Sequence, residues 1–131
     1  MEKSGFLTFE TAQKIAEKYS TPCYVYDEAS LVAQAKKALG FPNAFGLTVR
    51  FAMKASSNRA ILRLFDSLGL HIDASSAHEV ERAMLAGIPA GRISLSSQQL
   101  PENLAELARA GVKYNACSLL QLDEFGRGNP G

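Results

Sequence analysis

The chain has 131 residues, 47% hydrophobic and 21% charged, a composition that fits one folded globular unit and excludes an intrinsically disordered segment. Lys and Arg number 14 against 13 Asp and Glu, interspersed, so the formal net charge of +1 gives no electrostatic case for nucleic acid or an anionic membrane surface. No apolar stretch approaches a membrane span and Met1–Phe6 lacks the apolar segment of a secretory leader, so a cytoplasmic location is expected.

Thr8 can cap a first helix in which Thr11, Ala12, Ile15 and Tyr19 fall at helical spacing, and Ser20-Thr21-Pro22 stops it. Cys23-Tyr24-Val25-Tyr26 is aromatic and β-branched and reads as a short strand. Asp27 and Glu28 put negative charge at the start of a second helix through Leu31, Val32, Ala35 and Leu39, closed by Gly40-Phe41-Pro42-Asn43.

From there a strand and a helix alternate four times. Leu47–Lys54 reads as a strand, followed by a helix with Ile61, Leu62, Phe65 and Leu68 on one face and Gly69 at its end. Leu70–Ser75 is the next strand; Ser76-Ala77-His78-Glu79 is a capping box ahead of Val80, Ala83 and Met84, ended by Gly87-Ile88-Pro89. Arg92–Ser96 is the third strand, and Pro101 suits the first position of a helix with Leu104, Leu107 and Ala108 on its apolar face. Val112–Cys117 is the fourth, and Ser118-Leu119-Leu120-Gln121 is a second capping box whose helix fades at Phe125-Gly126.

This rhythm predicts an α/β fold with a parallel sheet. A doubly wound open sheet and half of a (β/α)8 barrel both satisfy it. Polar residues gather where each strand ends: Lys54 with Ser56, Ser57 and Asn58; Asp73 with Ser75 and Ser76; Ser96 with Ser97 and Gln98; Asn115 with Ser118. Both architectures bind ligands at that edge, although serines there also serve as helix caps. The glycine patterns of dinucleotide and P-loop sites are absent, which disfavours a nucleotide-binding domain.

Lys54 is the candidate nucleophile. A lysine at a strand end is held by stiff backbone, and poor solvent there would disfavour the ammonium; a solvated lysine with a buried stem is the competing reading. Cys23 and Cys117 are too few and too distant for a zinc site or disulfide framework and read as small buried hydrophobes. His71 and His78 have no metal-ligand spacing and read as structural or surface residues, so no metal is expected.

Three segments together carry a resemblance. Thr21-Pro22-Cys23-Tyr24-Val25-Tyr26-Asp27, Phe51-Ala52-Met53-Lys54-Ala55-Ser56-Ser57-Asn58 and Asp73-Ala74-Ser75-Ser76-Ala77-His78-Glu79 are similar, in order and spacing, to the opening of the diaminopimelate decarboxylases, pyridoxal 5'-phosphate enzymes built like alanine racemase. This chain departs at Ser56, where that family commonly has Asn, and at Ala77-His78, where it has two glycines that favour close backbone approach.

The resemblance implies the first half of a PLP-binding (β/α)8 barrel. Residues 1–27 would be a helix and a strand that join a C-terminal β domain absent from this chain, and residues 28–131 four barrel units, truncated after the fourth strand and helix. It implies that Lys54 carries pyridoxal phosphate as a Schiff base, with Ala52, Asp73 and Glu79 beside the cofactor. The parent enzyme would decarboxylate the small-molecule amino acid meso-diaminopimelate to L-lysine, act as a homodimer and serve lysine biosynthesis; this chain alone would be inactive. A related enzyme such as carboxynorspermidine decarboxylase, a non-catalytic PLP-binding or degenerate barrel fragment, and a flavodoxin-like module are the alternatives.

Overall fold

The computed structural model describes residues 5–129. Met1–Ser4, the start of the expected leaderless terminus, and Pro130–Gly131, the end of the expected final turn, lie outside the described residues. The helices are α1 (Phe9–Tyr19), α2 (Glu28–Leu39), α3 (Arg59–Ser67), α4 (Ala77–Leu85), α5 (Leu104–Arg109) and α6 (Leu119–Gly128). The strands are β1 (Arg50–Ala52), β2 (His71–Ala74), β3 (Ile93–Leu95) and β4 (Lys113–Tyr114).

Local capping chemistry sets where the helices begin. Side-chain oxygens of Thr8, Asp27, Asn58, Ser76 and Ser118 accept first-turn amides of α1, α2, α3, α4 and α6, satisfying donors that the helices cannot use internally. Three helices also close alike. The amides of Leu70, Ile88 and Val112 return to the carbonyls of Phe65, Ala83 and Leu107, around glycines 69, 87 and 111 at φ near +100°. Each closure places a buried apolar residue after the glycine; Leu70 and Val112 lead directly into β2 and β4, and Ile88 into the turn before β3.

All four strands are parallel and ordered β1-β2-β3-β4, with Phe51 opposite Ile72, Ile72 opposite Ile93 and Leu95 opposite Tyr114. One sheet face is apolar. Met53, Ile72, Ala74, Ile93 and Leu95 meet Leu62 of α3, Val80 and Ala83 of α4, and Leu104 and Leu107 of α5 in one core. A smaller cluster of Ala35, Ile61, Phe65 and Leu70 fastens α2 to α3. Met53, Leu62, Ile72, Ile93, Leu95 and Val80 are fully buried. At about 1.5–3 kcal/mol each, they outweigh the exposed ion pairs.

Sequential order with no reversal, and helices α3 to α5 packed on one face, resolve the choice left open by periodicity. A doubly wound sheet needs a switch point and helices on both faces; successive units of a (β/α)8 barrel need neither. No helix among the described residues is long and apolar enough to cross a membrane.

Several expectations are corrected. Cys23–Tyr26 forms no strand: no strand among the described residues offers it a ladder, and Tyr24 is 94% exposed. Both cysteines are exposed rather than buried, since Cys23 lies in that unpaired segment and Cys117 precedes the α6 cap. The regular strands are shorter than the apolar runs, and Lys54 lies in a 3-10 turn, Met53–Ala55, just beyond β1. Pro101 is not the first residue of α5; its carbonyl accepts the Leu104 amide in a turn, and the helix follows Asn103. Met84 points to solvent, whereas Val80 and Ala83 are buried as expected. α6 continues past Phe125-Gly126 to Gly128, with the Asp123–Arg127 ion pair along its last turns.

Candidate functional site

Alternation along the strands puts every second residue on the sheet face away from the helices, and that face is polar. The register gives it layers. Arg50 and His71 lie lowest; Ala52, Asp73, Ser94 and Lys113 form the next layer; Ser75, Ser96 and Asn115 follow the strands at the C-terminal edge, where the 3-10 turn after β1 brings Lys54 into one cavity with Ser75 and Ser96. The ladder extends to that edge through the Ser96 amide to Ala74 O and the Asn115 amide to Leu95 O.

Lys54 is exposed and lines a cavity of about 420 Å³ with Ser75, Ser76, Ser96, Ser97 and Gln98. Its position at the sheet edge is as expected; the burial anticipated for it is not found, since the side chain is exposed. A second depression of about 500 Å³ shares Ser76, Ser97 and Gln99 and continues along the start of α4.

Asp73 is the anchored anion of this face. Its Oδ1 accepts from Ser94 Oγ at 2.6 Å and from Ser96 Oγ at 2.8 Å, and Asn115 Nδ2 donates to Ser96 Oγ at 3.3 Å. Ser94 was not singled out in the sequence. The alternation Ile93-Ser94-Leu95-Ser96 carries the signal, because it sets Ser94 on the same face as Ser96.

Glu79 does form half of a cap, one residue displaced from the expected box. Ser76 Oγ accepts the Glu79 amide at 3.2 Å, while Glu79 Oε2 accepts the Ser75 amide at 2.6 Å rather than that of Ser76. The fourth unit repeats this offset: Ser118 Oγ accepts the Gln121 amide at 3.2 Å and Gln121 Oε1 accepts the Cys117 amide at 2.7 Å. Ala52 lies opposite Asp73 on the neighbouring strand.

His71 and His78 do not join Lys54 in its cavity. Burial pushes the His71 imidazole below its ordinary value of 6.5, with Arg50, Arg92 and Lys113 adding to the effect, and its Nδ1 is 3.5 Å from Arg50 Nη1. His78 is exposed on α4. Among the described residues no three His, Cys, Asp or Glu side chains gather as a metal site.

A pyridoxal-type aldehyde needs a reachable amine, room for a flat ring and hydrogen-bond donors. Lys54 supplies the first, a cavity within the roughly 300–1,000 Å³ range of small-molecule sites the second, and the serine hydroxyls with Gln98 the third. Ala77 and His78, which replace small glycines in the resemblance, do not line the Lys54 cavity, so their side chains do not crowd it. The residues present fit the group.

Comparison with known proteins agrees. The family described as pyridoxal-dependent decarboxylase, pyridoxal binding domain, matches residues 29–125. The diaminopimelate decarboxylase of Streptomyces coelicolor is 36% identical over 121 residues, covering 88% of this chain and 26% of that protein. That of Zymomonas mobilis is 42% identical over 99 residues, covering 72% of this chain and 24% of the other. Among solved structures, diaminopimelate decarboxylase from Helicobacter pylori complexed with L-lysine superposes with a TM-score of 0.75 at 25% identity, over 89% of this chain and 30% of that one. The M. jannaschii enzyme in co-complex with L-lysine gives 0.73 at 27% identity, over 89% and 29%. The chain thus spans about a quarter of the length of these curated relatives.

Proposed function

Because the chain belongs to the pyridoxal-dependent decarboxylase family, within its pyridoxal-binding domain, we propose that it is the cofactor-anchoring part of a diaminopimelate decarboxylase, with Lys54 as the attachment point. The observation that carries this is the position of Lys54: an accessible amine at the C-terminal edge of β1, in a serine-lined cavity on the polar sheet face. In barrels of this type, that edge is where chemistry is done.

Bound there, pyridoxal phosphate supplies an electron sink for the pair left behind when a substrate carboxylate departs as carbon dioxide. Lys54 Nζ would hold the cofactor, as the one amine that lines this cavity. Asp73 presents fixed negative charge on the same face, one layer below. Ala52, beside Asp73, contributes little bulk and leaves room for a ring. Glu79 holds in place the Ser75 turn, which lines the Lys54 cavity, through one carboxylate oxygen.

Residues 28–131 are then four units of a barrel, and residues 1–27 supply a helix and an extended segment for a further β domain. The largely exposed, aromatic and β-branched Cys23–Tyr26 segment supports that assignment by its composition. The substrate is an amino acid, meso-diaminopimelate, with L-lysine as product, and the complete enzyme is a homodimer. These 131 residues hold only part of the site, so by themselves they do not turn over substrate.

The test uses the purified chain with pyridoxal phosphate and meso-diaminopimelate. Cofactor absorbance bound to the wild type and lost in Lys54→Ala, without L-lysine formation, is the expected result. Rapid L-lysine formation would overturn the claim of inactivity, and equal cofactor binding by both proteins would overturn the role of Lys54.

A further inference from the structure

We propose that Ser94 and Ser96 are positioning residues that fix Asp73 as an anion on the polar sheet face, one layer below the edge that bears Lys54, an inference that rests on Lys54 being the cofactor lysine. Ser94 is 5% exposed, and its hydroxyl lies 2.6 Å from Asp73 Oδ1 but 3.4 Å from Ile72 O, so its single proton goes to the carboxylate. Ser96 accepts from Asn115, which leaves its own proton for the same Oδ1. Two hydroxyls on one oxygen fix the carboxylate's rotation.

The choice of donor matters more than the number. Arg50 and Lys113 belong to the same sheet face, and neither forms an ion pair among the described residues. The partners that Asp73 has instead are two neutral hydroxyls. Neutral hydroxyls set its direction without cancelling its charge, which is what a site needs if that charge is to act on a protonated nitrogen above it. Serine at both positions is also cheap to remove: alanine differs by one oxygen, and the apolar core lies on the opposite face.

A double-mutant cycle tests the proposal. The purified chain, Ser94→Ala/Ser96→Ala, Asp73→Ala and the triple variant are titrated with pyridoxal phosphate, with capture at Lys54 read by borohydride reduction and peptide mass. Removing both hydroxyls should weaken capture about tenfold when Asp73 is present. The same change should cost less than about twofold in the Asp73→Ala background. Ser96→Thr, which keeps the hydroxyl, should bind as the wild type does.

Equal losses in both backgrounds, or no loss in either, overturn the positioning role. The clamp is also read without cofactor, as a shift of the Asp73 carboxyl carbon resonance in the serine variants. An unmoved resonance with normal capture at Lys54 overturns the clamp alone. Absence of capture by the wild type overturns the cofactor reading and the positioning role together.

Discussion

Replacing Gln121 should expose how adjacent units of the sheet are tied at their functional edge. Gln121 is 4% exposed, accepts the Cys117 amide through Oε1 at 2.7 Å and donates through Nε2 to the Ser97 carbonyl at 3.0 Å. It therefore links the turn before α6 to the loop after β3, a wall of the Lys54 cavity. Gln121→Ala leaves the buried Ser97 carbonyl without its donor and the part-buried Cys117 amide without its acceptor; the first alone is worth about 1–3 kcal/mol, so a loss of at least that order is expected. Against a total of about 5–15 kcal/mol for an ordinary domain, that is a large fraction.

Gln121→Glu separates the two bonds. The introduced carboxylate still accepts from Cys117, but at neutral pH its second oxygen faces the Ser97 carbonyl without a proton to share. Its folded-state pKa is therefore raised above the unfolded value of about 4.3. A group raised in this way contributes fully below the unfolded value, and that contribution is lost as pH rises through the folded value. The deficit against wild type should be small near pH 4 and reach about 1–3 kcal/mol by pH 8, read from urea midpoints at unchanged slope. A variant as stable as wild type at pH 8, or a deficit that grows on acidification, would refute the tie.

Leu62→Ala removes a fully buried side chain from the centre of the core and should cost about 2–5 kcal/mol by urea denaturation; a loss under about 1 kcal/mol would mean that α3 does not pack as described. His71 is depressed in the fold, so its neutral form contributes stability above the unfolded value near 6.5 that is lost as pH falls through the folded value. Histidine NMR should find His71 titrating below 6.5, and His71→Gln should weaken the acid dependence of stability between pH 7 and 5; an unchanged dependence would contradict the placement.

What the sequence disclosed follows the range of the interactions involved. The caps at Thr8, Ser76 and Ser118 were legible because donor and acceptor are at most a few residues apart, and at Asp27 the acidic helix start was legible though not the cap itself. The core faces of α3 and α5 were legible for the same reason, as was the gathering of polar residues at the strand ends. The Cys23–Tyr26 segment was not, since side-chain preference supplies no partner strand. Nor was the clamp on Asp73, whose partners are 21 and 23 residues away and meet it only once β2 and β3 pair in register. The Glu79 offset was not legible either, since a capping box assigns the glutamate to the Ser76 amide, whereas in the fold it reaches the amide one residue earlier.

Borohydride reduction of the purified chain with pyridoxal phosphate, followed by peptide mapping, tests the account most directly. One pyridoxyl group on the peptide containing Lys54, absent from Lys54→Arg and reduced by competing free lysine, is the predicted result. Label spread over Lys14, Lys18, Lys36 and Lys37, with Lys54 unmarked, would contradict it.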